Sequence, residues 1–597
     1  MNADRTATNS AAPFDVVICG GGLAGLCLAR QLRRELPEAT VTVLEKTSRP
    51  LPEACFKVGE SSVEIAMHYW ERLGLYDYMR ERQLLKWGLR FYPGGGDLPL
   101  HLRTEIGPCA EPPLKTYQLD RGRLESDLRG MVEADGATLI EGAKVTAVEI
   151  GKDGARHVVR YERGGALHEL RPRWVVDASG WTGFLRKKMK LTRASPHVAS
   201  AGWYRIEGKF DINDMVPQSE AEWHRRPISD QRWLSTNHFM GDGYWVWVIP
   251  LSSGMTSIGA VIHEDTHDCR NIAGLEATQA FIKKHEPHLF KAIENYPVRD
   301  FVCLRNYAHM SGRGFSEDRW TTVGPANGFS DPLYSPGSDL IAFANCFTLE
   351  MMRTDLAGGD MKGKAAMLSA QYRAILNGST LVYRYASPCM GHPSAFAYKV
   401  FWNNFAYWSF TCQYYKQELC RIDDAGQERI AHYGGRFLDL IRRMEILLAE
   451  WARMAPERPT PVFKGAPAFP SVLIDAHVAT GQAMTFDETL AYFEMRLAQG
   501  LEIVAEMVLR ICMELGPEQS RKLLDLVEFP AWDVPIPPQR IEIERLGSIA
   551  RRHALPPLAR DVERGLGPVR RHPQAMAALE LLVQSVSRAR SLDASSP

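Results

Sequence analysis

Apolar and β-branched residues cluster at Phe14–Cys19 (Phe-Asp-Val-Val-Ile-Cys), stop at a run of glycines, and resume with helical spacing from Leu26 to Leu36. A second β-branched run, Thr40 to Leu44, follows. This pattern predicts strand, tight turn, helix and strand. Trp174-Val-Val-Asp177 reads as another buried strand, ending in a carboxylate and a glycine turn. In Tyr244-Trp-Val-Trp-Val-Ile the residues alternate, so period two places Trp245 and Trp247 on one face. From about Tyr383 onward the pattern becomes helical. Phe401, Phe405, Trp408 and Cys412 recur at i, i+4, i+7 and i+11, which predicts one face of an amphipathic helix. Phe486 to Leu515 is the clearest later helix, and the proline-rich stretches Pro456–Pro470 and Pro530–Pro538 separate such segments.

A chain of 597 residues exceeds the size at which one core stops growing, so two or three packed units are expected. Its 45% hydrophobic and 24% charged residues, with 71 acidic and 71 basic side chains, are those of a soluble globular protein. No basic excess points to nucleic acid. Eleven cysteines without a CxxC pair suggest reduced thiols and a cytoplasmic home. Residues 1–13 are polar and small, a loose tail without a signal peptide's apolar core. No apolar run reaches membrane-spanning length. His263, His267 and Cys269 are the clustered metal-capable residues, but the acidic stretch around them reads as a surface connection, and no metal is expected.

The glycine run carries the first chemistry. In Gly20-Gly21-Gly22-Leu23-Ala24-Gly25, Gly20 permits the turn and Gly22 lets the backbone approach a pyrophosphate at the helix N-terminus. Gly25 lets helix and strand pack closely. Glu45 ends the second strand twenty residues past Gly25, where a carboxylate accepts bonds from ribose hydroxyls. This spacing alone does not separate FAD from NAD.

Three later segments resemble flavoprotein monooxygenases and halogenases and favour FAD. Tyr117-Gln-Leu-Asp-Arg121-Gly-Arg123-Leu resembles their entry into a helix near the flavin. Trp174-Val-Val-Asp177-Ala-Ser-Gly180-Trp-Thr-Gly183-Phe-Leu-Arg186 resembles their second dinucleotide motif. Thr321-Thr-Val-Gly324-Pro-Ala326 stands where they usually carry Gly-Asp-Ala, with Pro325 replacing the aspartate. Four more segments narrow the resemblance to flavin-dependent halogenases: WxWxIP in Gly243–Pro250, FxxPxxSxG in Phe329–Gly337, the lysine segment Lys86-Trp-Gly-Leu-Arg90-Phe91, and Val58-Gly59-Glu60-Ser61. It runs from about residue 14 to about residue 350.

The resemblance implies an α/β fold, with a Rossmann-like FAD-binding domain over 14–200 and 306–382. An antiparallel β-sheet substrate region would occupy 201–305 and a helical C-terminal region 383–597. FAD would be held by Gly20, Gly22, Gly25, Glu45, Gly59, Glu60, Ser61, Arg121, Asp177, Gly180 and Gly324. It would arrive as FADH2 from a separate NAD(P)H-dependent flavin reductase and, with O2 and chloride or bromide, yield hypohalous acid. Ser335, Gly337 and Ser338 would bind the halide, Pro336 having no N–H to offer. Trp245, Trp247, Pro332 and Tyr334 would part flavin from substrate, and Lys86 would deliver the halogen, either by hydrogen bonding hypohalous acid or as a haloamine.

Read without the resemblance, the two tryptophans are core residues and Lys86 a solvated lysine. Tyr334 stands where tryptophan halogenases have a glutamate, which argues against free tryptophan. A phenol, pyrrole or other aryl group, free or on a carrier protein, is expected, in secondary-metabolite or pigment biosynthesis. A hydroxylase on the same scaffold, suggested by Pro325 and Pro336, and a non-catalytic flavoprotein binding a carrier-linked substrate, suggested by the long helical tail, remain alternatives. The aromatic stretch Phe396–Tyr415 is either core or the wall of an apolar substrate pocket.

Overall fold

The computed structural model describes residues 14–52, 59–465 and 470–593; the expected tail 1–13 and Val58 lie outside them. Asp15–Cys19 is a strand whose last four residues are buried. It runs directly into its turn because Gly20 takes φ +126°, a region closed to most L-residues. A Cβ on Gly20 would stand 2.3 Å from the Ala178 carbonyl oxygen, and one on Gly25 would stand 2.0 Å from that of Gly20. The helix Leu23–Glu35 therefore packs hard against the strand ends.

The six-stranded sheet runs Phe315–Ser316, Trp320–Thr322, Trp174–Asp177, Asp15–Cys19, Thr40–Glu45, Thr138–Glu141. Its pairings are parallel apart from the first. Parallel registry brings Cys19, Leu44 and Asp177 level with one another beside the glycine turn. This is a mixed α/β fold, with further sheets and a helical C-terminal region.

The larger sheet has eight strands in the order Val298–Leu304, Ala199–Glu207, Met255–His263, Tyr244–Pro250, Thr236–Gly241, Leu89–Tyr92, Glu105–Ile106, Phe463–Lys464. All seven residues of Tyr244–Pro250 are buried, and they alternate between two cores. Trp245, Trp247 and Ile249 pack into the core shared with the nucleotide domain, whereas Tyr244, Val246 and Val248 face a second core containing Phe281 and Leu289. The period-two reading of the tryptophans therefore holds. The sheet also reaches beyond 201–305. It takes Leu89–Tyr92 and Glu105–Ile106 from earlier in the chain and Phe463–Lys464 from the C-terminal region, and Leu89–Tyr92 joins Thr236–Gly241 in parallel.

His263 corrects the surface-loop expectation. It is the buried last residue of the strand Met255–His263, because the alternation of Ile258, Ala260 and Ile262 carries the strand that far; only from residue 264 does the connection turn outward, leaving His267 half-buried.

The later chain is mostly helical. Helix Phe486–Leu526 opens on a capping box between Thr485 and Glu488 and breaks at Gly516, just before Pro517, so its regular part ends at Leu515. Phe401, Phe405, Trp408 and Cys412 are all buried, but the one-faced reading fails. Helix Pro393–Ala406 is buried on nearly every side, Trp402 and even Lys399 included, and Lys399 pairs there with Glu445. The stripe was one part of a fully enclosed helix. The ten cysteines among the described residues are unpaired thiols, and none of the helices there is long and apolar enough to cross a membrane.

Candidate functional site

The carboxylate of Glu45 reaches back over the glycine turn. Its Oε2 accepts a 2.7 Å hydrogen bond from Gly21 N, and its Oε1 accepts bonds from Thr47 N (2.9 Å) and Thr47 Oγ1 (2.7 Å). A Cβ on Gly21 would lie 2.8 Å from Glu45 Cβ, so the turn has no room for a side chain. Gly22 caps the helix without any side-chain bond, which leaves first-turn N–H groups for an anion. A cradle closed to side chains, a carboxylate at the second strand end and an uncapped helix N-terminus fit an adenine dinucleotide.

Asp177 shapes the neighbouring turn. Its carboxylate accepts bonds from Ser179 N, Ser179 Oγ and Leu185 N, and Gly180 follows at φ +61°. Arg186 lies in the same turn, with Nε and Nη1 buried and without hydrogen-bond partners. Gly324 packs its backbone against Ala24 and Ile341, where a Cβ would stand 3.0 Å from Ala24 Cβ.

The segment at Gly59 is tied to both sheets' surroundings. Arg121 donates to the Gly59 carbonyl at 3.4 Å and to Glu125 at 2.5 Å. Glu60 pairs with Arg205 at 2.7 Å, and Ser61 Oγ lies 2.9 Å from Thr236 Oγ1. Burial pushes the Glu60 carboxyl above its ordinary range, against the pull of Arg205 and Ser257. Glu60 thus anchors the segment through a buried ion pair.

Trp245 and Trp247 lie 5.6 Å apart, ring centre to ring centre, and Trp203 stands 6.1 Å from Trp247. Trp247 Nε1 donates to Ser257 Oγ at 3.0 Å, whereas Trp245 Nε1 is buried with no partner. Gly259 makes room for the Trp247 indole, since a Cβ there would lie 2.1 Å from the ring.

In the FxxPxxSxG segment, Asp331 accepts bonds from Leu333 N (2.9 Å), His197 Nε2 (2.8 Å) and Tyr307 OH (2.5 Å). His263 is beside them, and His197, His263 and Asp331 could hold a metal ion, their ligand atoms within 4.8 Å of one another. The hydrogen bond between His197 and Asp331 already satisfies two of the three groups. Ser335 sits at φ +59°, held by its N–H bond to the Pro332 carbonyl, and Pro336 caps the helix Gly337–Leu356. Gly337 and Ser338 therefore present first-turn N–H groups that lack acceptors within the helix.

A separate cavity of about 720 Å³ is present, and neither the predicted FAD-holding residues nor Ser335, Gly337 and Ser338 line it. Lys86, Tyr334 and Pro336 line it; Trp245, Trp247 and Pro332 do not. Lys86 ends the short strand Leu84–Lys86, is 2% exposed, and donates a 2.7 Å hydrogen bond from Nζ to the Ser62 carbonyl. Burial lowers its pKa to about 7, against the opposing charges of Glu64 and Asp339. Both carboxyls line the same cavity. Burial raises Asp339 to about 8 despite a 2.6 Å bond from Tyr407 OH and a 3.0 Å bond from Ala66 N. Glu64 is also buried, yet His477, whose Nε2 lies 3.1 Å away, brings it below the usual carboxylate range. Trp408 stacks on the His477 ring at 4.4 Å and 6°. Asn403, near Tyr334 and Glu445, makes no hydrogen bond of normal geometry with its buried amide. The site thus joins an amine poised near neutrality to one ionised and one protonated carboxyl, a split that suits proton transfer.

Sequence reading did not single out Glu64, Asp339, Tyr407, His477 and Asn403. Glu64 follows Ser61 by three residues and Asp339 directly follows Ser338, so proximity to the motifs was an available signal. Tyr407 and Asn403 lie within the stretch Phe396–Tyr415 offered as a pocket wall, and His477 carries no signal. The aromatic stretch Phe396–Tyr415 proves to be both of its expected alternatives: Phe401 and Phe405 are core, while Tyr407, Trp408 and Phe410 face the cavity.

A family model described as an FAD binding domain matches residues 13–286. The flavin-dependent halogenase chlA of Dictyostelium discoideum is 27% identical over 448 residues, covering 70% of this chain and 73% of the relative. The chain is thus similar to flavin-dependent halogenases over most of its length. A 1H-pyrrole-2-carbonyl-[peptidyl-carrier protein] brominase of Pseudoalteromonas luteoviolacea is 24% identical over 357 residues, covering 58% of this chain and 79% of that enzyme. Among solved structures, halogenase PltM in complex with phloroglucinol and FAD shares the fold, with a TM-score of 0.59 at 14% identity over 82% of this chain and 97% of that one.

Proposed function

We propose that this protein is an FADH2-dependent halogenase that uses O2 and chloride or bromide to halogenate an electron-rich aromatic ring bound beside Lys86. The single observation that carries the reading is Lys86 itself, a buried lysine at a cavity wall in the family's lysine segment, bonded to Ser62 and with a pKa near 7. A solvated surface lysine has none of these properties.

When bound, the flavin supplies two electrons, so that FADH2, O2, a halide and a proton give FAD, hypohalous acid and water. Gly20, Gly22, Gly25, Glu45, Arg121, Asp177, Gly180 and Gly324 would hold it. Ser335, Gly337 and Ser338 would hold the halide at the helix start, where Pro336 contributes no donor. Trp245, Trp247, Pro332 and Tyr334 would keep the substrate on the Lys86 side. Lys86 as ammonium would polarise the oxygen–halogen bond and protonate the departing oxygen; as amine it would carry the halogen. Ionised Glu64 would take the proton that the ring loses, so that ring and hypohalous acid give halogenated ring and water.

A separate NAD(P)H-dependent flavin reductase would supply FADH2, and the relatives favour a setting in secondary metabolism. Two of them act on pyrrole held by a peptidyl carrier protein, which supports an aromatic ring delivered in that way as one form of substrate.

The test compares wild type with Lys86→Ala under reductase-supplied FADH2, oxygen and bromide, on a panel of phenols, with brominated product measured by mass spectrometry and FAD binding by fluorescence. The expected loss is on the order of 10²–10⁴-fold in bromination with FAD affinity retained. Equal bromination by both proteins, or oxygen incorporation that needs no halide, would reject the reading, the latter in favour of a hydroxylase.

A further inference from the structure

Two long helices carry the cavity away from Lys86. On Met361–Arg384 its lining residues fall at alternating steps of three and one from Met367 to Val382, one stripe about 22 Å long. On Asp424–Met454 they run from Gln427 to Ile441, about 21 Å. The cavity of about 720 Å³ comprises the Lys86 end together with this elongated slot between the two helices.

The two ends differ in chemistry. At the Lys86 end stand Glu64, Asp339, Tyr407 and Asn403, the last with its buried amide beside Tyr334 and Glu445. Along the slot the walls are apolar and small, among them Ala374, Ile375, Ile430, Gly435, Leu438 and Ile441. At the outer end Gln371 and Gln427 bond each other at 2.7 Å, beside Glu428. Among the described residues, no arginine and no lysine other than Lys86 lines the cavity. The phosphate of a carrier protein's prosthetic arm would find no cation there, whereas an apolar chain needs none.

We infer that the substrate is a free amphiphile, an electron-rich hydroxyaryl head at Lys86, Glu64 and Asp339 bearing an unbranched apolar chain that lies in the slot between the two helices. This rests on the halogenase reading and adds the substrate's shape. The ring hydroxyl would meet the head-end carboxyls and the Asn403 amide, and each methylene would leave water against an aliphatic wall.

The experiment uses the full-length protein with FADH2 supply and bromide, and a series of 4-n-alkylphenols from methyl to nonyl. Binding without turnover is followed by calorimetry, and kcat/KM by product analysis. Affinity and kcat/KM should rise about threefold to fourfold per methylene along the series until the slot is filled. Gly435→Leu and Ala374→Leu should flatten that slope in both measurements. At Gly435 a Cβ meets nothing within 4 Å, so the added side chain occupies open space without a clash. Chain-independent affinity and kcat/KM, with the short phenol still brominated, would overturn the inference and leave the halogenase reading intact. So would bromination of an aryl group only when it is tethered to a carrier protein. No bromination of any phenol or tethered aryl group would instead strike the halogenase reading, while calorimetry would still report the chain dependence of binding.

Discussion

Lys86 Nζ donates its 2.7 Å hydrogen bond to the carbonyl of Ser62, the residue next to the Gly59-Glu60-Ser61 segment. Ser62 is fixed in turn, since its Oγ donates to the Tyr117 carbonyl at 2.7 Å. Glu60 is locked by Arg205. The amine is therefore aimed by a short rigid segment, and a change at Glu60 should be felt at Lys86.

The protonation of Lys86 gives a pH prediction with a definite sign. Its pKa falls from 10.5 to about 7 in the folded chain. Between these values the unfolded chain holds a proton that the folded one does not, so this residue's contribution to stability rises with pH from about 7 to about 10.5. Below about 7 the burial cost of the ammonium is present in full. Urea midpoints should show Lys86→Met most stabilised relative to wild type at pH 6.5, with the difference shrinking by pH 9; a constant difference would contradict the assignment. Bromination rising through pH 7 would identify the amine as the carrier of halogen, and a fall would identify the ammonium.

The two cavity carboxyls should respond differently to amides. Asp339, at about 8, is protonated at neutral pH, and an asparagine is likewise neutral: its Oδ1 accepts from Ala66 N, while its NH2 donates to the Tyr407 hydroxyl oxygen where Asp339 accepts from it. Asp339→Asn should keep kcat within about threefold of wild type, whereas Glu64→Gln should lower it by about a hundredfold if its carboxylate takes the ring proton. Steady-state kinetics at pH 7 separate the two, and equal losses would refute the split.

Gly25→Ala should weaken FAD binding by about fivefold or more. The new methyl would press on the Gly20 carbonyl, 2.0 Å away, and such overpacking costs roughly 1–3 kcal/mol. Flavin fluorescence titration measures this directly; unchanged affinity would show that the turn does not form the cradle.

Lys399 and Glu445 form a fully buried ion pair in the helical region. Lys399→Met would strand the carboxylate, for a loss of about 3–5 kcal/mol by denaturant unfolding. The double variant with Glu445→Leu should recover most of it. A double variant as unstable as the single one would show that the pair contributes more than mutual neutralisation.

The nucleotide half was readable because its constraints are local. Gly20, Gly25 and Glu45 meet within one strand–helix–strand unit, so spacing alone reports the geometry. Trp245 and Trp247 were readable for the same reason, strand alternation being a local property. The burial of Lys86 was not, because it depends on Ser62 and on helices far along the chain closing over a three-residue strand. His477 and Asn403 come from helices whose periodicity says which residues turn inward but not what they meet. Helix Pro393–Ala406 misled for a related reason: Lys399 looks like a solvent residue until Glu445 supplies its partner.

The strand Tyr244–Pro250 divides its side chains between two cores with no solvent face on either side. Removing or adding one residue within it would turn Trp245 and Trp247 toward Phe281 and Leu289 and bring Val246 and Val248 round in their place. This strand is therefore intolerant of any change in length, and insertions in this part of the chain should be found only beyond its ends, such as in the turn at residues 251–254.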